Sequence, residues 1–490
     1  MRYRVAISLF SILIVLLLVN MLPTPSLIAA GTILNPNGYQ DLNLPYKYTL
    51  GVQTPTGEKP QSKLWYNDGR WWGDMFNKAD GKYHIYWLNI GTQLWVDTGT
   101  ILDPRSQTKA DCLWTGTRLY VASGGGSDLS GSGTTAVLPA NLYRYSYNAA
   151  TKAYSLDPGF PVTIRNGGAE TIVLDKDSVG TLWVTYTQGN KVYVNHSLSS
   201  DTDWNVNVAP FQVAGTNANV SPDDISTLVA VDGKIGVFWS NQNTGQFSGS
   251  NDTAFYFAVH PDGAADSVWV GSVALRQPEI ADDHINIKSL QADASGNIFT
   301  MVKSSLNTNG TPQLLLLVAK KQSDGTYTWE KYIESMREDG QTRPILLIDT
   351  DHRQLYIFTS TESGGNVYYK TTSLDNIQLY PSSGPNAGAG SLFMSKPGFA
   401  INNTTSTKQN VNGASGIVVL ASHDNEVSVN TLEADYYFHN YINLGGATPP
   451  PPSRTVPPTA TPTPPKPIAT PAAGPNNVPK LRVYVAIIVR

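Results

Sequence analysis

Seven charged residues recur, one ahead of or within each of seven short apolar stretches: Lys63, Asp111, Glu170, Asp224, Lys288, Arg343 and Lys408. Asp223, Asp282, Asp283 and His284 stand in the segments leading into the same stretches. Carboxylates and cations converging on one concave surface are what polar-ligand binding or acid–base catalysis requires. Asp111, Glu170 and Asp224 are the candidate catalytic carboxylates. Glycoside cleavage needs two carboxyls about 5–5.5 Å apart for retention, or roughly 6.5–9.5 Å apart for inversion. A polysaccharide lyase would instead set a base such as His284 beside a cation such as Arg343, which would neutralise a uronate carboxylate. Lys63, Asp223, Asp283, His284, Lys288, Arg343 and Lys408 are the candidate ligand-binding residues.

Other chemistries have less support. Asp282-Asp283-His284 and Asp349-Thr350-Asp351-His352 carry ligand-type side chains, but the second falls at a hairpin turn, where Asp and His tolerate the backbone geometry. Neither matches a calcium-binding EF-hand loop or a His-Glu-x-x-His zinc motif. Gly413-Ala414-Ser415-Gly416 reads as a plain turn and not as a nucleophile elbow. No phosphate-binding loop or dinucleotide fingerprint is present, so neither metal nor cofactor is expected.

The elements that must hold these residues repeat. Each copy runs through a short apolar strand, turns at Gly or a polar pair, and returns as an aromatic-rich strand. Ser62 to Trp72 turns at Gly69, Ala110 to Tyr120 at Gly116, Glu170 to Val184 at Gly180, and Asp224 to Trp239 at Gly233. Lys288 to Phe299 turns at Gly296, Arg343 to Phe358 at Arg353, and Lys408 to Leu420 at Gly416. Successive turns are 47 to 64 residues apart. A hairpin recurring at that period predicts an all-β chain folded as a β-propeller, one blade of four antiparallel strands per copy. Third strands follow as alternating segments, among them 142–147, 191–195 and 254–259. Outer hairpins then turn through polar residues toward a Trp, as in Asp262-Gly263 to Trp269 and Asp324-Gly325 to Trp329. Seven first hairpins predict seven blades. Because the last copy is irregular, six blades plus a closing element is the alternative.

In a propeller the first strands line a central channel and their approaches form one rim, so the recurring charges are expected there. They would either meet a ligand or pair off around the channel. Residues 31–60, rich in Gly, Pro and Asn, read as an arm or a strand completing a later blade, and the propeller as 61–445. Arg2 and Arg4 ahead of an apolar run that ends in Ile28-Ala29-Ala30 predict a signal peptide over 1–30, hence a secreted or surface-displayed protein. An uncleaved anchor is the alternative. Residues 446–478, dominated by Pro, Thr and Ala, predict a semi-rigid stalk, and 479–490 a short apolar tail through which surface attachment is expected.

A net charge of −4 makes no electrostatic case for nucleic acid or an anionic membrane. One cysteine, Cys112, excludes internal disulfides, so a large core or a closed sheet must stabilise the fold; the residue reads as a buried hydrophobe. Among 490 residues are 11 Trp and 25 Tyr, enough to pack strands and to stack on sugar rings. A monomer is expected.

Ser62-Lys63-Leu64-Trp65 with Gly69-Arg70-Trp71-Trp72, residues 282–291, Thr342 to Asp349, and Ser406 to Asn412 resemble a family of exported bacterial sialidase-like propellers, often joined to stalks. The resemblance covers nearly all of 61–440; it implies fold and location, since that family has no assigned reaction. The sialidase Asp-box turn, Ser-x-Asp-x-Gly-x-x-Trp, has a degenerate counterpart in Ser199-Ser200-Asp201-Thr202-Asp203-Trp204. Sialidases hold a substrate carboxylate with three arginines, whereas Arg343 is the single arginine among the seven recurring positions, so sialidase activity is not implied. The expected function is binding of a polar ligand, a glycan before others, at the charged rim. A glycoside hydrolase or polysaccharide lyase using the same carboxylates is the first alternative, and a structural or protein-binding propeller the second.

Overall fold

The computed structural model describes residues 31–33, 35–44, 55–57, 59–125, 138–287, 296–362, 365–423 and 435–445. The expected signal peptide, stalk and tail, together with Lys288, lie outside the described residues.

Two short N-terminal strands, β1 (Thr32–Ile33) and β2 (Tyr39–Leu44), come first. Blade one is β3 (Leu64–Asn67), β4 (Arg70–Asn77), β5 (Lys82–Asn89) and β6 (Leu94–Asp103). Blade two is β7 (Lys109–Trp114), β8 (Arg118–Gly125) and β9 (Leu138–Asn148), with its outer position divided between β10 (Ala153–Leu156) and β11 (Val162–Arg165). Blade three is β12 (Val173–Lys176), β13 (Leu182–Gln188) and β14 (Lys191–His196). Blade four is β15 (Ser226–Val231), β16 (Lys234–Asn241), β17 (Asp252–Pro261) and β18 (Val270–Pro278). Blade five is β19 (Ile285–Asn286), β20 (Ile298–Lys303), β21 (Pro312–Lys321) and β22 (Tyr327–Met336). Blade six is β23 (Gln341–Asp349), β24 (Gln354–Thr361), β25 (Asn366–Ser373) and β26 (Ser391–Ser395). Blade seven is β27 (Ile401–Thr405), β28 (Ile417–His423) and β29 (Asp435–Asn443), and its outer position is taken by β1 and β2. The chain is a seven-bladed propeller whose blades are built on four antiparallel strands.

Local chemistry accounts for the repeat. Asp68-Gly69 and Asp232-Gly233 both place two successive residues at positive φ, at 50° and 72° and at 51° and 67°. That is the two-residue turn whose twist matches paired strands, and Gly bears the left-handed geometry without steric cost. Inner strands are covered on both faces by neighbouring blades, so they are apolar without alternation: Gln313 to Ala319 of β21 are all buried. The outer strand β22 has one solvated face and alternates over its first residues.

The apolar clusters lie between blades. One joins Phe238 and Phe255 of blade four to Ile298 and Leu315 of blade five. The largest runs from blade six through blades seven and one to Cys112 and Tyr145 of blade two. Cys112 is fully buried, as its setting in an apolar strand implied, and burial pushes its thiol up.

Blade three departs from the pattern. Beyond β14 no fourth strand pairs among the described residues; Phe211 and Ala218 bond to Val192 through their backbones at 2.8 and 3.1 Å instead. The turn after β14 is the Asp-box-like segment. There the Trp204 indole donates to Asp201 O at 2.9 Å, as Trp269 does to Asp266 O in blade four.

Closure comes from the N-terminal strands. Thr32 pairs with Asn443 and Tyr39 with His439. His439 is held between Asp41 Oδ2 at 2.6 Å and Gln93 Oε1 at 2.9 Å, tying blade seven to blade one. The chain must then travel from the outermost strand of blade seven to the innermost strand of blade one, which takes it across the channel mouth.

Candidate functional site

The segment making that crossing, residues 55–57 and 59–62, is a strap anchored on four blades. Thr56 Oγ1 meets Ser422 Oγ of blade seven at 2.8 Å, and Lys59 O accepts from Asn286 Nδ2 of blade five at 3.0 Å. Gln61 Nε2 donates to Ile172 O, at the approach to blade three, at 3.0 Å, and Ser62 N to Asp111 Oδ1 of blade two at 2.7 Å. This mouth is therefore partly covered, and the recurring charges divide into two sets around the strap.

The first set lies in the channel wall. Asp111 is fully buried; Oδ2 accepts from Leu174 N at 2.7 Å and from Lys408 Nζ at 2.9 Å. It thus joins the strap, blade three and blade seven. Asp224, buried instead in the approach to blade four, accepts from Ser221 N at 2.7 Å and from Gln242 N at 3.0 Å, and burial pushes its carboxyl up. Lys63 is fully buried and donates to Gln61 Oε1 at 3.1 Å and to Ala110 O. Burial drives its ammonium below the ordinary lysine range. The Asp74 carboxyl nearby is pushed up to about 7, chiefly by burial, with Lys63 opposing and Asp103 reinforcing the shift. Lys408 does not open its blade: β27 begins upstream at Ile401, and Lys408 follows it along the inner wall. An isolated bridge from Asp349 to Val411 explains this, because the wall segment after β27 pairs with blade six.

The second set lies at the mouth. Oxygens of Glu170, Asp223 and Asp283, from the approaches to blades three, four and five, lie within 4.8 Å of one another. The Lys59 ammonium sits among them, 3.0 Å from Glu170 Oε1 and against Asp283 Oδ2. Asp223 is exposed and Glu170 half-buried. His284 Nδ1 lies 2.6 Å from Asp283 Oδ1 and also against Asp282 Oδ1, while Lys303 Nζ reaches Asp282 Oδ2 at 3.2 Å. Burial lowers His284 to about 4, outweighing the pull of Asp282 in the other direction. The ring is therefore neutral at pH 7, and its partners assign the proton to Nδ1, which donates to the carboxylates. Nε2 is then a buried acceptor, with no partner among the described residues. Burial raises Asp282, but the hydrogen bond from His284 and the bond and charge of Lys303 overcome it and hold that carboxyl well below the usual range.

Arg343 is the third residue of β23 and has φ at 48°, where the β23–β24 register shifts between Thr342 and Ile345. A non-glycine residue in that region costs of order 1–3 kcal/mol. The guanidinium makes no ion pair among the described residues, and its Nε is buried without a partner.

Sequence reasoning thus named Glu170, Asp223, Asp283, His284 and Arg343 at the mouth, Asp111, Lys63 and Lys408, which are packed into the wall, and Asp224, which is buried in the approach to blade four and bonded within that blade. It missed Lys59, which lies in the segment read as an arm. The available signal was topological, since any link from an outer to an inner strand must pass over the mouth. Asp349 is buried, its oxygens taken by Asp351 N, His352 N and the His352 ring, so the second metal-like motif is a turn. A cation at Glu170, Asp223 and Asp283 would compete with Lys59 for the same oxygens.

No family model and no curated protein matches this chain. Among solved structures it is similar to the polysaccharide lyase Uly1, at 9% identity and a TM-score of 0.45 over 85% of this chain and 100% of that one. It is also similar to an α-L-arabinofuranosidase of Fusarium graminearum solved with arabinobiose, at 12% identity and 0.40, over 69% and 98%. The NanB sialidase of Streptococcus pneumoniae follows at 11% and 0.32, over 67% and 53%. All three TM-scores lie below 0.5, so the fold assignment rests on the sheet order alone.

Proposed function

We propose that the strapped mouth of the channel binds a glycan. The observation that carries this reading is the convergence of Glu170, Asp223 and Asp283 from three consecutive blades, with the Lys59 ammonium against two of them. Carboxylates accept hydrogen bonds from sugar hydroxyls, and two of these three keep solvent-facing surface for that purpose. Arg343 adds a bidentate donor that no protein carboxylate holds among the described residues, suited to an acidic group on the same chain of sugars. Asp111, Lys63 and Lys408 support the site by fixing the blades, and Asp224 by holding the approach to blade four. Secretion and stalk-mediated display are part of the same reading, since a surface-held propeller would meet extracellular polysaccharide.

A hydrolase or lyase at this mouth is the second reading, favoured by the closeness of Glu170 to Asp223 and Asp283 and by a neutral His284. Catalysis would then fall to Glu170 and Asp223, the carboxylates with free surface. A glycan array probed with the full chain tests the proposal. Binding to acidic polysaccharide is expected, with Glu170→Gln and Arg343→Ala each weakening it about tenfold or more. Retained binding in both variants would overturn it. Release of reducing ends or of unsaturated uronate, abolished by Glu170→Gln, would favour the second reading.

A further inference from the structure

The missing fourth strand of blade three leaves a cavity on the outside of the propeller. On the free edge of β14, Phe211 N donates to Val192 O at 2.8 Å and Val192 N to Ala218 O at 3.1 Å. At the other end of the strand Asn195 Nδ2 donates to Asn205 O at 3.0 Å. Between these tethers no bond joins residues 206–210 to β14 among the described residues, and a cavity of about 480 Å³ lies there. Asp266, Ser267 and Trp269 from the outer turn of blade four also line it. None of its lining belongs to the strapped mouth, and its volume lies within the range of small-molecule sites, about 300–1,000 Å³.

The lining offers acceptors and an aromatic wall, and no lysine or arginine is part of it. His196 Nδ1 donates to Ser197 O at 2.9 Å, so Nε2 of the neutral ring is an acceptor, and it faces Asp266 Oδ2 at 3.2 Å. The Asp266 side chain is 77% exposed and so open to a ligand. Strand alternation turns Val194 N–H and C=O toward the edge that Val192 presents, and neither has a partner among the described residues. Trp269 is half-buried, with its indole N–H spent on Asp266 O at 2.9 Å, and Phe211 packs edge-on against it at 4.8 Å.

We infer that this cavity binds a neutral sugar, whose hydroxyls donate to Asp266, His196 Nε2 and Val194 O while its ring lies against Trp269. A sugar carries several O–H donors on one compact ring, together with acceptors for the Val194 N–H. Its apolar ring face suits the aromatic wall. An acidic sugar or a lone anion would bring a second negative charge to Asp266, with no cation in the lining to receive it. A peptide added as a strand needs a run of free edge groups. Here Val192 is taken by Phe211 and Ala218, and the His196 amide by Asn195 Oδ1 at 2.9 Å. Only Val194 remains between them, which fits a ligand one ring wide.

NMR on the full chain with isotope-labelled valine tests the inference, in separate titrations with glucose, xylose and arabinose. The Val194 amide signal, assigned by its loss in Val194→Ile, reports this cavity, so sugar held at the strapped mouth does not enter the readout. A saturable shift of that signal is expected with at least one of the three sugars. Sodium glucuronate should act there about tenfold more weakly, and tetra-alanine should leave the signal in place. Trp269→Ala should weaken the sugar about tenfold and Asp266→Ala several-fold. Asp266→Ala, at an exposed side chain, still reads the loss if the Trp269 variant folds poorly. The inference is overturned if none of the three sugars shifts the Val194 amide, if glucuronate binds there as tightly as the best of them, or if Asp266→Ala keeps full affinity. A shift with tetra-alanine as large as with sugar would also overturn it and assign the edge to an added peptide strand.

Discussion

Asp111 and Glu170 each open a copy of the repeat as the sequence reads, but Asp111 lies within β7 and Glu170 three residues ahead of β12, and they meet opposite fates. Asp111 is sealed into the channel wall, where two backbone amides and a lysine take up its oxygens. Glu170 stands half-exposed at the mouth with one tethered cation against it. The difference is one of neighbours. A carboxylate facing amides from adjacent blades becomes a joint of the scaffold, whereas one facing solvent and a lysine on a strap keeps capacity for a ligand.

Breaking the joint should have the largest effect. Asp111→Ala removes the acceptor for Ser62 N and Leu174 N and takes a carboxylate away from the buried Lys408. A loss of about 3–5 kcal/mol is expected, the cost of breaking a buried pair, read from chemical denaturation. Glu170→Gln measured alongside should cost under about 1 kcal/mol, since its partner contact is partly solvated. Similar losses in the two variants would show that wall and mouth carboxylates contribute alike.

The strap comes next. Lys59→Met takes the ammonium away from Glu170 and Asp283 and leaves their carboxylates facing that of Asp223. A destabilisation of about 1–3 kcal/mol is expected, with faster amide exchange in residues 59–62 than elsewhere in the inner strands. Unchanged exchange there would show that the backbone anchors alone hold the crossing.

Acid and base dependence separates wall from mouth by sign. Asp74 in the wall has its carboxyl raised to about 7. Between about pH 4 and 7 the folded state keeps a proton that the unfolded chain releases, so this group's contribution falls as pH rises. His284 at the mouth is lowered to about 4. Between about pH 4 and 6.5 the unfolded chain holds the extra proton, so its contribution rises with pH. Asp74→Asn should therefore tilt the stability–pH curve upward over that window and His284→Gln tilt it downward, measured by urea unfolding at pH 4, 5.5 and 7. The same tilt in both would refute the assignment.

Asp223→Asn is the mildest test. An exposed carboxylate should change stability by less than about 0.5 kcal/mol while still reducing glycan retention. A silent variant in both measurements would confine the site to Glu170, Asp283 and Arg343.

Much of this arrangement was legible in the residues. Asp68-Gly69 and Asp232-Gly233 demand the turns that they form, and the aromatic strands after them form as read. The last copy was read one step late: Lys408 looked like its opening charge, but apolar content in 401–405 is low and the β27 strand shows no alternation to betray it. Lys59 was hidden for another reason. It lies in no repeat, and its importance comes from where the chain must pass.

Sequence alone determined the repeat and the blade, because turn geometry and strand periodicity are local properties of the backbone. Only the closed ring decided which charges remain available. Whether a carboxylate meets an amide, a lysine or water depends on a neighbouring blade some fifty residues away and on a strap from the N-terminus. Those encounters are long-range, and no local pattern encodes them.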